Sequence, residues 1–410
     1  MKKKIILLVA ISTIVLIACG NNRNDVIQWR GDRQGTFHET GLLTSWPAGG
    51  PQLLWHFDGL GEGHASPVIA NGMIFVNGMN ENSRGVVFAF DFNGNLLNSQ
   101  EYGPEWDRNF HGTRGTITPD GDNIFFISGT GTVYSFTQRS LTLNWSRNLV
   151  QEFGGVASTW GFSESPLIVG DKVIATPGGS VYNVIALNKY TGELVWSTPG
   201  MGDRPSYTSP ILITDQQVPL IVQNTGRHIM GINANTGEML WAHPWTNMHQ
   251  MVADPPFYSG GKIFTTSGYG GGSVMLRLTN GGRAVEEVWS SSTVLESQKG
   301  GVIRVGNYLY GSGHRVSPYW QAVNFYTGEV MWAHNLREPN MGSTIYADGM
   351  LYLYTSNGVV KLVRPTPDEF DIVSQFNVTL GSQEHIGTPI IHNGVLYIRR
   401  GCTLMAYRIR

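Results

Sequence analysis

Apolar residues in this chain come in short bursts rich in Val, Ile, Phe and Tyr, each stopped by Gly, Asn or Asp; this is a pattern of strands and tight turns. Three stretches are nearly superimposable: Ala186 to Trp196, Gly231 to Trp241 and Ala322 to Trp332. Each reads as a strand, a Thr-Gly-Glu turn and a second strand ending on Trp. Trp55, Trp145 and Trp289 take the same place, while Asn98 and the Val373 region stand in for it in two degenerate copies. Before each copy lies another hairpin of the form Ser-Pro-apolar-apolar, as at Ser66-Pro67-Val68-Ile69, Ser165-Pro166, Ser209-Pro210 and Thr388-Pro389.

Two hairpins make a four-stranded sheet, and the unit repeats about every 45 residues, the spacing of radially stacked sheets. First hairpins begin near Ser66, Gly115, Ser165, Ser209, Pro255, Gly301, Ser343 and Thr388. Seven units would require discarding one, with the hairpin at Gly301 the weakest. Eight predict an all-β, eight-bladed β-propeller over residues 51–410. The last unit lacks an outer strand, and Gln52-Leu53-Leu54-Trp55 is an orphan strand at the other end. Pairing the two closes the ring and removes two exposed edges. An indole recurring beside a Gly turn reads as a packing wedge between blades, its N–H on a backbone carbonyl, rather than as a ligand platform.

Composition adds limits. Fifty-two Gly and 19 Pro argue against long helices, and a net charge of −2 without a basic stripe excludes nucleic acid as a natural partner. Only Cys19 and Cys402 are present, so there is no disulfide framework. Residues 1–18 read as an export signal: Lys2, Lys3 and Lys4 precede an apolar stretch from Ile5 to Ile17. Its end, Leu16-Ile17-Ala18-Cys19-Gly20, resembles the bacterial lipobox, which implies acylation of Cys19 and, with Gly20 next, an outer-membrane location in the cell envelope. Residues 19–50 then form a tether and lead-in.

The turns from first to second strand are short, as at Asn71-Gly72 and Asn393-Gly394, but connections entering the first strands are long: Glu101 to Gly115, Gln151 to Ser163, His243 to Asp254. All emerge on one face around the central channel, and long loops on a rigid frame are where binding resides. Aligned on the first strands they offer Glu62, His64, His111, Arg114, Trp160, Glu164, Tyr207, His249, Asp254, Lys299, Met341, Glu384 and His385. A solvated channel rim would carry the same residue types. Gly268-Tyr269-Gly270-Gly271-Gly272 has no following helix to aim at a phosphate and reads as a hairpin loop; Arg30-Gly31-Asp32 lies in the lead-in and reads as chance. No spacing pairs a nucleophile with a base.

The Ala-Leu-x-x-x-Thr-Gly-x-x-x-Trp repeats and Ser-Pro starts resemble the pyrroloquinoline-quinone-type propeller repeats over Gln28 to Arg410, and Gln28-Trp29-Arg30-Gly31 resembles the lead-in of exported members. The family spans quinone-dependent alcohol dehydrogenases and the lipoprotein of the outer-membrane barrel-assembly machine. The dehydrogenase resemblance implies a quinone clamped by adjacent cysteines and a calcium ion held by acidic residues. Adjacent cysteines are missing here, and Glu164 and Asp254 are the only candidate ligands. The resulting expectation is a monomeric, lipid-anchored, non-enzymatic scaffold without cofactor or catalytic residues, binding a protein or glycan by its long-loop face. The alternative is a PQQ-dependent oxidoreductase with calcium. A polysaccharide hydrolase or lyase using His111 or His385 ranks behind both.

Overall fold

A computed structural model describes residues 25–335 and 341–410. Eight antiparallel sheets follow one another along the chain: blade 1 (68–104), blade 2 (118–148), blade 3 (167–199), blade 4 (211–244), blade 5 (257–291), blade 6 (303–335), blade 7 (342–377) and blade 8 (390–408). Blade 8 takes its fourth strand from Gln52–Phe57, which pairs with Thr403–Arg408 in the register Gln52 to Arg408 and Trp55 to Ala406. The ring therefore closes by its termini, and the hairpin at Gly301 is a true first hairpin, Ile303–Val305 with Tyr308–Ser312.

The apolar bursts are buried because each sheet is sandwiched between two others. Phe75 and Ala89 of blade 1 share a core with Ile124, Phe126 and Phe136 of blade 2, and comparable clusters fill the other gaps. At Asn71-Gly72, Asp348-Gly349 and Asn393-Gly394 both turn residues have positive φ, the twist that a two-residue hairpin requires.

The tryptophans are wedges. Trp55, Trp145, Trp196 and Trp289 each lie on the turn glycine of the next blade, where a Cβ on Gly94, Gly192, Gly237 or Gly328 would come within 2.5 to 2.8 Å of the indole. Those glycines also have positive φ, so two demands fix a glycine at this turn. Trp145 Nε1 donates to Lys189 O at 3.0 Å and Trp241 Nε1 to Gly282 O at 3.1 Å. In blade 1 Asn98 keeps this bond without the ring, donating to Arg139 O at 3.4 Å. In blade 7 the position falls on Ser374, opposite Leu362. Trp46 of the lead-in fills the gap: its backbone N–H donates to Ser374 Oγ at 3.0 Å, and its ring packs on Tyr352 and Phe376.

Two local expectations are corrected. The fourth strand of blade 1 continues through Pro104, so the connection begins after it and not at Glu101. Within the connection after blade 2 there is a five-residue helix, Leu149–Phe153, because Asn148 caps it by accepting from Val150 N and Gln151 N.

The lead-in is part of the ring. Ile69 N donates to Val26 O, and the chain then dips into the channel at Trp29 to Arg33. It leaves as Thr36–Phe37, which adds a parallel fifth strand to blade 7 through Tyr346 and Ala347.

Candidate functional site

Every blade reaches the channel in the same way. Counting back from the three-residue first strand, with blade 7 counted from Ile345, the fourth residue before it is His64, Arg114, Ser163, Tyr207, Ala253, Lys299, Met341 or Ile386. All eight line one cavity of about 480 Å³, within the usual range for ligand pockets. Phe110 and Trp160 come from the long connections, and Tyr269, His314 and Arg315 from turns between second and third strands on the same face. Trp160 and Tyr207 meet with centroids 5.7 Å apart, Phe110 meets Trp160 edge-on, and Arg315 sits over the Tyr269 ring.

One residue later a side chain points away from the cavity, because side chains alternate along extended backbone, and only the backbone of Gly300 still touches it. At that position six of the eight blades carry Gly, Ala or Thr, and the other two carry Glu164 and Asp254. These carboxyls, expected at the mouth, are instead buried beneath it, facing arginines of the lead-in. Arg33 is buried and donates to Ser165 O at 3.2 Å, Pro166 O at 2.5 Å and Pro210 O at 3.0 Å, with Nε on Gln28 Oε1 at 2.6 Å. Arg30 is buried and donates to Gly300 O and Gln34 O. Burial pushes Glu164 up to about 8, countered in part by Thr176 and Arg33, and it also raises Asp254 against Ser297, Gly301 and Arg30. Both arginines are held down to about 10 by burial and remain cationic. The lead-in thus plugs the channel and makes the cavity blind; Arg30-Gly31-Asp32 is a structural knot, with Asp32 Oδ1 accepting from Gln34 N and Thr36 N.

The cavity is cationic. Arg114, Lys299 and Arg315 line it, and no Asp or Glu does. Burial lowers Arg114 to about 10 and lowers Lys299, while Glu384 opposes both shifts from outside the lining. His64 is pushed down to about 3 by burial and by Arg114, Arg399, Lys299 and His111, so its imidazole is neutral. His314 is lowered to about 4 by burial, against the pull of Glu296, whose carboxylate accepts from Gly270 N, Val316 N and Ser317 N.

Of the residues expected at the mouth, His64, Arg114, Trp160, Tyr207, Lys299 and Met341 line the cavity, and the others lie elsewhere. His111 pairs with Glu62 on the outer rim. His385 bonds Tyr354 Oη at 2.6 Å between blades 7 and 8, and His249 lines a smaller neighbouring cavity of about 360 Å³. Sequence reasoning missed Trp29, Phe110, Tyr269, Gln298, His314 and Arg315. The signal available for part of this set was the shared face of the turns between second and third strands.

A sequence model of the family described as outer membrane protein assembly factor BamB matches residues 83–334. The chain belongs to this PQQ-like propeller family. No curated protein matches it in sequence. In structure it is similar to BamB from Moraxella catarrhalis, with a TM-score of 0.63 and 15% identity over 87% of this chain and 99% of that one. It is also similar to the quinohemoprotein alcohol dehydrogenase of Comamonas testosteroni, with a TM-score of 0.67 and 12% identity over 94% and 80%. The computationally designed Ika8 protein shares the fold equally, with a TM-score of 0.61 and 11% identity over 87% and 100%. At these identities the likeness is one of fold.

The family's dehydrogenases raise the question of a quinone with calcium. Calcium takes about six to eight oxygen ligands. Among the described residues no three His, Cys, Asp or Glu side chains gather into a metal-holding group, and Glu164 and Asp254 each face an arginine cation. Cys402, the only cysteine among them, is unpaired and accepts from Ser382 Oγ at 3.3 Å. This donor set does not fit the pair.

Proposed function

We propose that this protein is a non-enzymatic binding scaffold of the bacterial cell envelope that takes part of a protein or glycan partner into the blind cavity of its long-loop face. The observation that carries the reading is the plug: with Arg30 and Arg33 filling the channel, side chains from all eight blades converge on a pocket open on one face only. Membership of a family described by an outer-membrane assembly factor supports the envelope location. Export through residues 1–18 and acylation of Cys19, which lie outside the described residues, complete the proposal, with the chain acting as a monomer.

The test is capture from solubilised envelopes by wild type and by a Trp160→Ala/Arg114→Gln variant. Loss of one or more partners from the variant is expected, and identical profiles at equal folding would overturn the reading. Acylation is checked by labelled palmitate, with incorporation lost in Cys19→Ala. Under this reading, quinone with calcium leaves the melting temperature unchanged, whereas a PQQ-dependent oxidoreductase would gain several degrees.

A further inference from the structure

The cavity wall contains polar atoms that the protein leaves unpartnered. His64 is more than nine-tenths buried and lines the cavity, yet neither Nδ1 nor Nε2 has a hydrogen-bond partner. Gln298 Oε1 and Arg114 Nε are likewise buried without one. Such groups are costly unless something pairs with them. Together they describe a missing molecule. A neutral imidazole offers one donor and one acceptor whichever nitrogen carries the proton, and Gln298 Oε1 only accepts. The ligand must therefore donate at two points. Arg114, Lys299 and Arg315 on a wall without carboxylates call for an anionic group as well. Trp29, Trp160, Phe110, Tyr207 and Tyr269 call for an apolar ring face.

We propose that the cavity recognises an acidic sugar, a uronic acid residue whose carboxylate meets Arg114, Lys299 and Arg315 and whose hydroxyls pair with His64 and Gln298 while the ring lies on Trp160. An aromatic acid would satisfy the cations and rings but would leave Gln298 Oε1 without a donor. A neutral sugar would leave the three cations without an anion inside the cavity. The plug behind the cavity lets a chain enter only by its end, so the residue is either the terminal unit of an acidic polysaccharide or a free uronate.

This inference rests on the binding reading above, and its test separates the two. Tryptophan fluorescence and calorimetry at low salt would follow titration with glucuronate, tetragalacturonate, maltotetraose and benzoate. Saturable binding of glucuronate or tetragalacturonate, absent for maltotetraose and benzoate, is the expected result; tighter binding of the oligomer assigns the polysaccharide end, and equal binding assigns the free acid. Lys299→Met and Gln298→Leu should each weaken it about tenfold or more at unchanged melting temperature. Comparable binding of benzoate or maltotetraose, or no binding of either uronate at millimolar concentration, would overturn the sugar assignment. If envelope capture by wild type still depended on Trp160 and Arg114 in that case, the scaffold reading would stand and only its ligand class would fall.

Discussion

Replacing Arg33 by Met tests whether the lead-in holds the ring together or merely lies in it. The guanidinium serves three carbonyls, Ser165 and Pro166 at the entry to blade 3 and Pro210 at the entry to blade 4. Met keeps most of the volume and removes every donor. Three buried acceptors lose their partner, and Glu164 loses the nearest opposing charge. Breaking a buried charged set by removing one member costs about 3–5 kcal/mol. Urea unfolding followed by tryptophan fluorescence should show the midpoint falling accordingly, with the slope unchanged. At pH 9, above the value of about 8 at which Glu164 ionises, adding Glu164→Gln to Arg33→Met should recover part of the loss, because a neutral amide no longer needs the cation; the coupling is expected at about 1–3 kcal/mol. An Arg33→Met protein within about 1 kcal/mol of wild type would refute the assignment of the lead-in as a structural plug.

Glu164 also predicts a pH dependence. Its folded value of about 8 lies above the ordinary 4.5, so its contribution is fully present below about pH 4.5 and is lost as pH rises through about 8. At about 1.4 kcal/mol per pH unit the loss has a ceiling of about 5 kcal/mol. Between pH 5 and 9 the urea midpoint of wild type should fall more than that of Glu164→Gln, and parallel curves would contradict this. Trp145→Ala should cost about 3–5 kcal/mol, since the indole fills the gap above Gly192 and Phe125; a loss below 1 kcal/mol in urea would refute the wedge. Trp55→Pro interrupts the pairing that closes the ring, so unfolding should become broader and begin at lower urea, and an unchanged transition would contradict closure by the termini.

The blades were legible in the sequence because each must repeat the same solution: Gly under the neighbour's Trp, a positive-φ pair at the hairpin and apolar strands between. The cavity was legible only in outline. A long connection before each first strand points to the face, but the side of the backbone that a residue takes depends on its distance from the strand, and a shift of one moves it out of the pocket. Ser163 lines the cavity and Glu164 does not, and Ala253 and Asp254 divide in the same way. Glu164 and Asp254 attract notice for their chemistry, yet their spacing from Leu167 and Phe257 already places them on the buried side. Nothing in the lead-in betrays the plug, because Arg30 and Arg33 bond to carbonyls distant in sequence and follow no periodic pattern. Trp46 is hidden for the same reason, since the absence it repairs, at Ser374, is more than three hundred residues away.

The path of the lead-in bears on how the molecule would stand on a bilayer. Asp25 is fixed at the Asn71-Gly72 turn, where its Oδ2 accepts from Asn71 N, and that turn lies at the end of the ring remote from the cavity opening. Five residues lie between Cys19 and Asp25, a reach of about 20 Å at full extension. An acyl group on Cys19 would keep the short-turn side close to the lipid headgroups and aim the opening into the aqueous compartment, upright on a short leash, where it meets soluble or polymeric molecules before it meets the membrane that carries it.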